Sequence, residues 1–324
     1  MESVCVGRQY CGATGKIDNC QIGVSLTYVG RDVAWPYTMD LFVPESWDNP
    51  EDAQVAFRRH KTRMPDTVHH KPKWRMALEQ IDLATANGVP HRAVVADSWY
   101  GEIPEFRQGL ADRGKSFVVG VYSKTEVFLE SPVIEIAPPG GKIGRPRKRP
   151  KVVKVSPEPV KVSQLGEKIE EGTWEHLELR QDCKGKPLIV EAVSLRVWPA
   201  VGYKKGHIHE QVWLIIERRK KGKCNFELRY FFSNLPQEHP TIEMVRLFHE
   251  RYWIEQGYQQ LKEELGLDHH EGRSWIGWRR HVLLVFIAYG YLTHLRLLQK
   301  KQKSLESRRA WLRARRKLER EFFV

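Results

Sequence analysis

The spacing of apolar residues changes period several times along the chain, and each change marks an element. Residues 3–28, SVCVGRQYCGATGKIDNCQIGVSLTY, alternate around a glycine-bearing turn and predict two strands. MDLFVP, residues 39–44, predicts a third short strand. The period then lengthens. Trp74, Leu78, Ile81 and Ala84 or Thr85 recur at helical spacing, predicting a helix over 71–87 that ends at GVP, residues 88–90. A short apolar run, Ala93–Ala96, reads as a strand with Asp97 at its carboxyl end. Ile103, Phe106 and Leu110 form a helical stripe, Gly114 is its stop, and Ser116–Val121 is another apolar strand. Such a strand–helix–strand crossover makes its two strands parallel.

Beyond this point the pattern breaks. Residues 130–163 are rich in Pro, Gly and Lys and predict a disordered linker. Residues 186–232 are strand-rich: KPLIVEAVSLRVWPAV, EQVWLIIERR and FELRYFFS, joined by the turn signals KKGH and KKGKCN, predict antiparallel strands. Helices return over 241–263 and 280–298, and Ser304–Glu321 is a basic helix or a frayed tail. A β-rich block thus interrupts an α/β pattern. The longest apolar run, Val282–Leu292, is shorter than the roughly 20 residues a bilayer span needs. It predicts a buried helix, with no membrane partner. Trp275 and Trp278 are expected to anchor it to the helix over 250–265.

Composition narrows the class. The 324 residues are enough for one large domain or two modest ones, and 41% are hydrophobic, enough for a core. Five scattered cysteines without a C-x-x-C pair fit a reducing compartment, and the opening MESVCVGRQY lacks the apolar stretch of a secretory leader. Net charge is +13, and its placement matters more than its size. Lys142–Lys154 holds seven Lys/Arg and no acid; Arg296–Glu321 holds eleven Lys/Arg and three acids; the rest of the chain sums to −2. Segments of this kind suit phosphate backbones, and equally serve as solvated charge runs. Within the first, GRPRKRP (144–150) places Arg145 and Arg147 in the manner of a minor-groove hook, or of a flexible basic linker.

Two places carry candidate chemistry. In open α/β sheets ligands gather at the carboxyl ends of strands, which singles out Asp97, although a turn or helix-cap aspartate sits there as readily. In RYWIEQGYQQLKEELGLDHHEGRSW (251–275), Arg251, Glu255 and Lys262 stand at i, i+4 and i+11 and share one helical face. That stripe is either an exposed ion-paired face or a carboxylate held between two phosphate-binding cations. His207, His209, His269 and His270 lack a Cys/His set at zinc spacing.

Three stretches together, VGRQYCGATGKIDNCQIGVSL, VVADSWYG with FRQGL, and RYWIEQGYQQLKEELGLDHHEGRSWIGWRRH, resemble the DDE transposases of bacterial insertion sequences, in the insertion sequence 701 group of the cut-and-paste clan. Arg251, three residues, Glu255, six residues and Lys262 reproduce the spacing of the last three members of that family's Tyr-Arg-Glu-Lys signature. The resemblance implies a ribonuclease-H-like mixed sheet with helices, interrupted by a β-rich insertion between the second and third catalytic acids. Asp97 then corresponds to the second acid and Glu255 to the third, both as metal ligands, while Arg251 and Lys262 correspond to DNA-contacting cations. It also implies Mg²⁺ or Mn²⁺, two ions, for which a few carboxylate oxygens suffice. The implied partner is double-stranded DNA, as transposon ends and target, bound by a homodimer in a synaptic complex in the bacterial cytoplasm at the nucleoid.

Two departures accompany it. The family's first catalytic aspartate lies on a strand upstream of the SVCVGRQY counterpart, ahead of Met1, so the expectation is a truncated, inactive copy whose central strand is missing. Asp18, expected in a turn, is given no catalytic role. The alternative is a non-catalytic DNA-binding remnant that inhibits or oligomerises with full-length transposase. Phe248 stands at the signature's tyrosine and cannot hydrogen-bond a phosphate. Trp198 and Trp213 are read as sheet packing. The expected organisation is a first core part over 1–129, a basic linker over 130–163, the β-rich insertion over 164–240, a helical second core part over 241–298 and a basic tail over 299–324.

Overall fold

The computed structural model describes residues 3–12, 14–30, 33–49, 51–138, 151–181, 187–221 and 225–322. The chain divides into two units, Met1–Ile81 with Trp253–Val324, and Asp82–Tyr252.

The first unit begins with an antiparallel pair, β1 (Gly7–Cys11) and β2 (Lys16–Cys20), whose turn places Gly15 at a φ of 67°. That left-handed conformation is open to glycine and strained for most residues. Asp18 lies within β2, not in the turn expected for it, and faces Lys16 at 3.7 Å. A second antiparallel ladder follows, β3 (Gly23–Gly30) with β4 (Val33–Leu41). Four strands thus replace the three expected, because GVSLTYVG forms a strand of its own. Asp52 accepts the backbone N–H groups of Gln54 and Val55 and so starts α1 (Ala53–Lys61). Buried Gln80 on α2 (Lys73–Ala86) donates to the Val24 carbonyl and to Asp40, tying that helix to the β3–β4 ladder.

In the second unit, β5 (Val94–Ala96) runs into the short helix α3 (Ser98–Gly101) and then α4 (Pro104–Asp112). Pro104 at the head of α4 explains why one expected helix is two: the residue before a proline is pushed out of helical conformation, and Ile103 is extended. Gly114, at φ 62°, turns the chain into β6 (Phe117–Val121), parallel to β5 as the crossover requires.

Next come β7 (Glu126–Phe128), β8 (Val133–Ala137), β9 (Lys151–Ser156), β10 (Val160–Lys161) and α5 (Val162–Lys168). The antiparallel pairing of β8 with β9 corrects the expectation of disorder at 133–137 and 151–156, while residues 139–150 of that expected linker lie outside the described residues. The alternations VIEIA and KVVKV were hidden beneath the Pro/Lys-rich composition. The unit closes with β11 (Glu175–Gln181), β12 (Pro187–Pro199), β13 (Val212–Lys221), β14 (Asn225–Ser233) and α6 (Thr241–His249). Apart from β8 and β9, these strands form one mixed sheet of eight, in the order β10-β7-β12-β13-β14-β6-β5, with β11 also on β12. The expected α/β class holds, and its mixed sheet with flanking helices agrees with a ribonuclease-H-like nuclease fold. The β-rich insertion is continuous with this sheet, since β14 pairs with β6. α6 covers it through Met244, Val245 and Phe248, packed on Val118, Val190, Ala192, Ile215 and Phe231.

The chain returns to the first unit through α7 (Tyr252–Gln259), a π turn over Gln260–Glu264, and α8 (Trp275–Phe322). Trp275 and Trp278 pack with Val4, Cys5, Leu41, Trp47, Met64 and Val282, so α8 is anchored on the N-terminal segment instead of on α7 as expected. Contact with α7 and its π turn comes through Leu261, against Val285 and Tyr289. The run Val282–Leu292 is buried on one face only, because Leu283, Leu284, Ile287 and Tyr291 are exposed. Among the described residues, Trp275–Lys303 is one helical stretch long and apolar enough, by length and composition, to cross a membrane.

Candidate functional site

Asp97 follows β5 directly, and its position is set by a close crossing of backbone on backbone. A Cβ on Gly101 of α3 would fall 1.8 Å from the Gly120 carbonyl oxygen of β6, and a Cβ on Gly120 would fall 2.8 Å from the Ser98 hydroxyl. Two glycines therefore let α3 lie on β6 at a separation no side chain permits. Buried Arg107 reinforces the arrangement by donating to the Gly101 carbonyl, with its guanidinium over the Phe232 ring. Burial lowers the pKa of that guanidinium to about 10.

The Asp97 side chain caps α3. Its Oδ1 accepts the backbone N–H groups of Trp99 (3.0 Å) and Tyr100 (3.2 Å), so Oδ2 is the oxygen that remains for a cation. Both sequence readings of Asp97, cap and strand-end ligand carrier, are thus compatible in one residue. Trp99, two positions on, is 42% exposed.

The stripe Arg251–Glu255–Lys262 does not lie on one continuous helix. Arg251 sits in the turn after α6, with its guanidinium 5.9 Å from the ring centre of Phe248. Phe248 is stacked on Phe231 at 4.3 Å between centroids, so packing survives where the signature has tyrosine. Glu255 is exposed in the first turn of α7. Lys262 lies in the π turn, where the Leu265 N–H reaches the Gln260 carbonyl five residues back. A shared face computed for an unbroken α-helix does not carry through a helix start and a π turn. Asp97 and Arg251 belong to the second unit, Glu255 and Lys262 to the first. Arg145 and Arg147 lie outside the described residues.

Near Lys262 the sequence reading missed Tyr258. Its hydroxyl meets the Ser25 hydroxyl of β3 at 2.5 Å, and the Lys262 ammonium lies 5.9 Å from its ring centre. Burial pushes the Tyr258 phenol up in pKa, with the Ser25 hydrogen bond opposing. Trp213 donates its indole N–H to the Leu235 carbonyl and packs beside the α6 core, in keeping with a sheet-packing role.

The donors suit a hard divalent ion in kind: Asp97 and Glu255 offer carboxylate oxygens, the ligands Mg²⁺ and Mn²⁺ take. Among the described residues no cluster of three or more His, Cys, Asp or Glu is assembled to hold a metal. His209 donates from Nε2 to the Val201 carbonyl at 2.8 Å, and His270 lies against His281, 5.0 Å between ring centres.

No curated protein matches the chain. The family profile described as DDE superfamily endonuclease matches residues 1–186, more than half of the chain. The matched span contains Asp97 and the crossover that presents it, and stops short of Glu255. On that match, and on the mixed sheet that bears Asp97 at a strand end, the chain belongs to the DDE superfamily endonucleases.

Proposed function

We propose that the chain is a transposase of the bacterial insertion-sequence type, of the insertion sequence 701 group, acting on double-stranded DNA at transposon ends and target sites. The observation that supports it most is Asp97, a strand-end aspartate inside the family match that spends one carboxylate oxygen on its helix cap. Endonucleases of this family act on DNA and generally depend on divalent metal. Asp97 and Glu255 are the residues that would hold Mg²⁺ or Mn²⁺, and ions so held supply an activated water and charge neutralisation at the leaving oxygen. Arg251 and Lys262 would grip the DNA backbone on either side of the third acid, fixing the duplex without reading its sequence. Arg145 and Arg147 would add contacts in a narrow minor groove. Work at two transposon ends calls for a homodimer, beside the nucleoid of a bacterial cytoplasm.

The carry-over assigns two acids of three. Asp18 lies half-buried beside Lys16, and Asp40 is engaged by Gln80, so neither takes the role of the first acid in this reading. The chain on its own is therefore expected to bind duplex DNA and leave it uncut; the alternative reading is a non-catalytic DNA-binding remnant that inhibits or oligomerises with full-length transposase.

The test is binding of the chain to duplex DNA across a salt series in Mn²⁺. Binding near physiological salt is expected, with Arg251→Ala and Lys262→Ala each lowering the log–log salt slope by about 0.9. No binding near physiological salt would sink the reading, and robust Mn²⁺-dependent cutting would sink the two-acid clause.

A further inference from the structure

We propose that Tyr258 is a positioning residue for Lys262, pinned at its hydroxyl by Ser25 and carrying the Lys262 ammonium against its ring. The inference rests on the reading of Lys262 as a DNA-contacting cation and goes beyond it, because neither Tyr258 nor Ser25 belongs to the motif that suggested that role.

Tyr258 lies on α7, three residues after Glu255 and four before Lys262. Its hydroxyl meets that of Ser25, near the start of β3, at 2.5 Å. The hydroxyl oxygen lies on the axis about which the ring turns, so holding it sets where the ring sits, and the packing around the ring sets its plane. Together with Thr27, Ile254, Gly257 and Leu261, the ring lines a cavity of about 10 Å³. That is about the space of one water molecule, so there is little room beside the ring for it to move into. The Lys262 ammonium stands 5.9 Å from the ring centre, at the outer reach of a cation–π contact.

A lysine in a regular helix inherits its bearing from the helix. Lys262 lies in the π turn over Gln260–Glu264, where α-helical periodicity is interrupted. Its four-carbon stem leaves the ammonium free to wander unless something beside it sets a direction. The Tyr258 ring is that fixed neighbour. Because Ser25 is on β3 and Tyr258 on α7, the pair also fixes the rotation of the helix that bears Glu255.

The salt dependence of binding to a double-stranded oligonucleotide separates positioning from general loss of fold. A destabilised protein has fewer active molecules but the same number of phosphate contacts, whereas losing one contact lowers the slope by about 0.9. Lys262→Ala should lower the slope by that amount. Tyr258→Leu should lower it nearly as far, and the double variant no further. Tyr258→Phe and Ser25→Ala should each weaken binding roughly two- to fivefold, in line with an exposed cation–π contact, and together no more than either alone. Where Tyr258→Leu does not fold, this second pair carries the test. If Lys262→Ala lowers the slope while Tyr258→Leu leaves it unchanged, or Tyr258→Phe and Ser25→Ala leave binding unchanged, the positioning role is wrong. If Lys262→Ala itself has no effect, the DNA-contact reading fails first.

Discussion

At the scale of single residues, Asp97 joins one observed role, the cap of α3, to the proposed one of metal ligand. Oδ1 holds the start of α3 by accepting from Trp99 and Tyr100, and the charge is available to a cation. Asparagine keeps the accepting oxygen and loses the charge; alanine loses both. Asp97→Asn should therefore melt in urea within about 0.5 kcal/mol of the parent, while Asp97→Ala should lose about 1 kcal/mol, the usual worth of an N-cap. Both variants should lose Mn²⁺ affinity alike. Retained Mn²⁺ affinity in Asp97→Asn would remove the carboxylate from the proposed site. The sequence made Asp97 legible because an apolar run ended on it. Tyr258 was illegible, because its partner Ser25 is 233 residues away and no spacing rule reaches that far.

At the scale of elements, the close crossing of α3 on β6 is the part that tolerates least change. Gly101→Ala would drive a methyl into the Gly120 carbonyl, with backbone as the obstacle. The expected cost is at least the 1–3 kcal/mol typical of overpacking, with α3 displaced and Asp97 moved with it. Unchanged stability, measured by urea melts, would mean that α3 does not sit on β6 as described.

Elsewhere in that unit the end of α4 is tied to Asp82 by Arg113, which grips both carboxylate oxygens at 2.7 and 2.9 Å. This hydrogen bonding holds the Asp82 carboxyl below the usual carboxylate range. A depressed carboxylate pKa gives stability that is present above the unfolded value near 3.9 and lost as pH falls through the folded one. Asp82→Asn should be less stable at pH 7 by at most about 1 kcal/mol, since the pair is half exposed and screened. The gap should close in acid, and a gap independent of pH would assign the effect to packing. The strands and the parallel crossover were readable from apolar runs. The break after α6 and the π turn were not, because apolar periodicity tolerates a turn in which Phe248 and Leu261 still face inward.

At the scale of the whole molecule, the surplus of positive charge falls on Lys142–Lys154 and Arg296–Glu321, while the remaining chain is close to neutral. In the proposed reading, DNA meets the basic segments and the chemistry falls to a few acids. The family match reaches residue 186 and so covers Asp97, while Glu255 enters through the signature spacing with Arg251 and Lys262. The central claim is that these two carboxylates serve the same divalent ions. Replacing Mg²⁺ by Fe²⁺ and adding ascorbate and peroxide generates hydroxyl radical at the ion, which cuts the polypeptide nearby. Mapping those cuts by mass spectrometry tests the claim most directly. The account predicts cuts close to both residue 97 and residue 255, and loss of both sets in Asp97→Asn; cuts beside only one of them, or a set at 255 that survives Asp97→Asn, would contradict it.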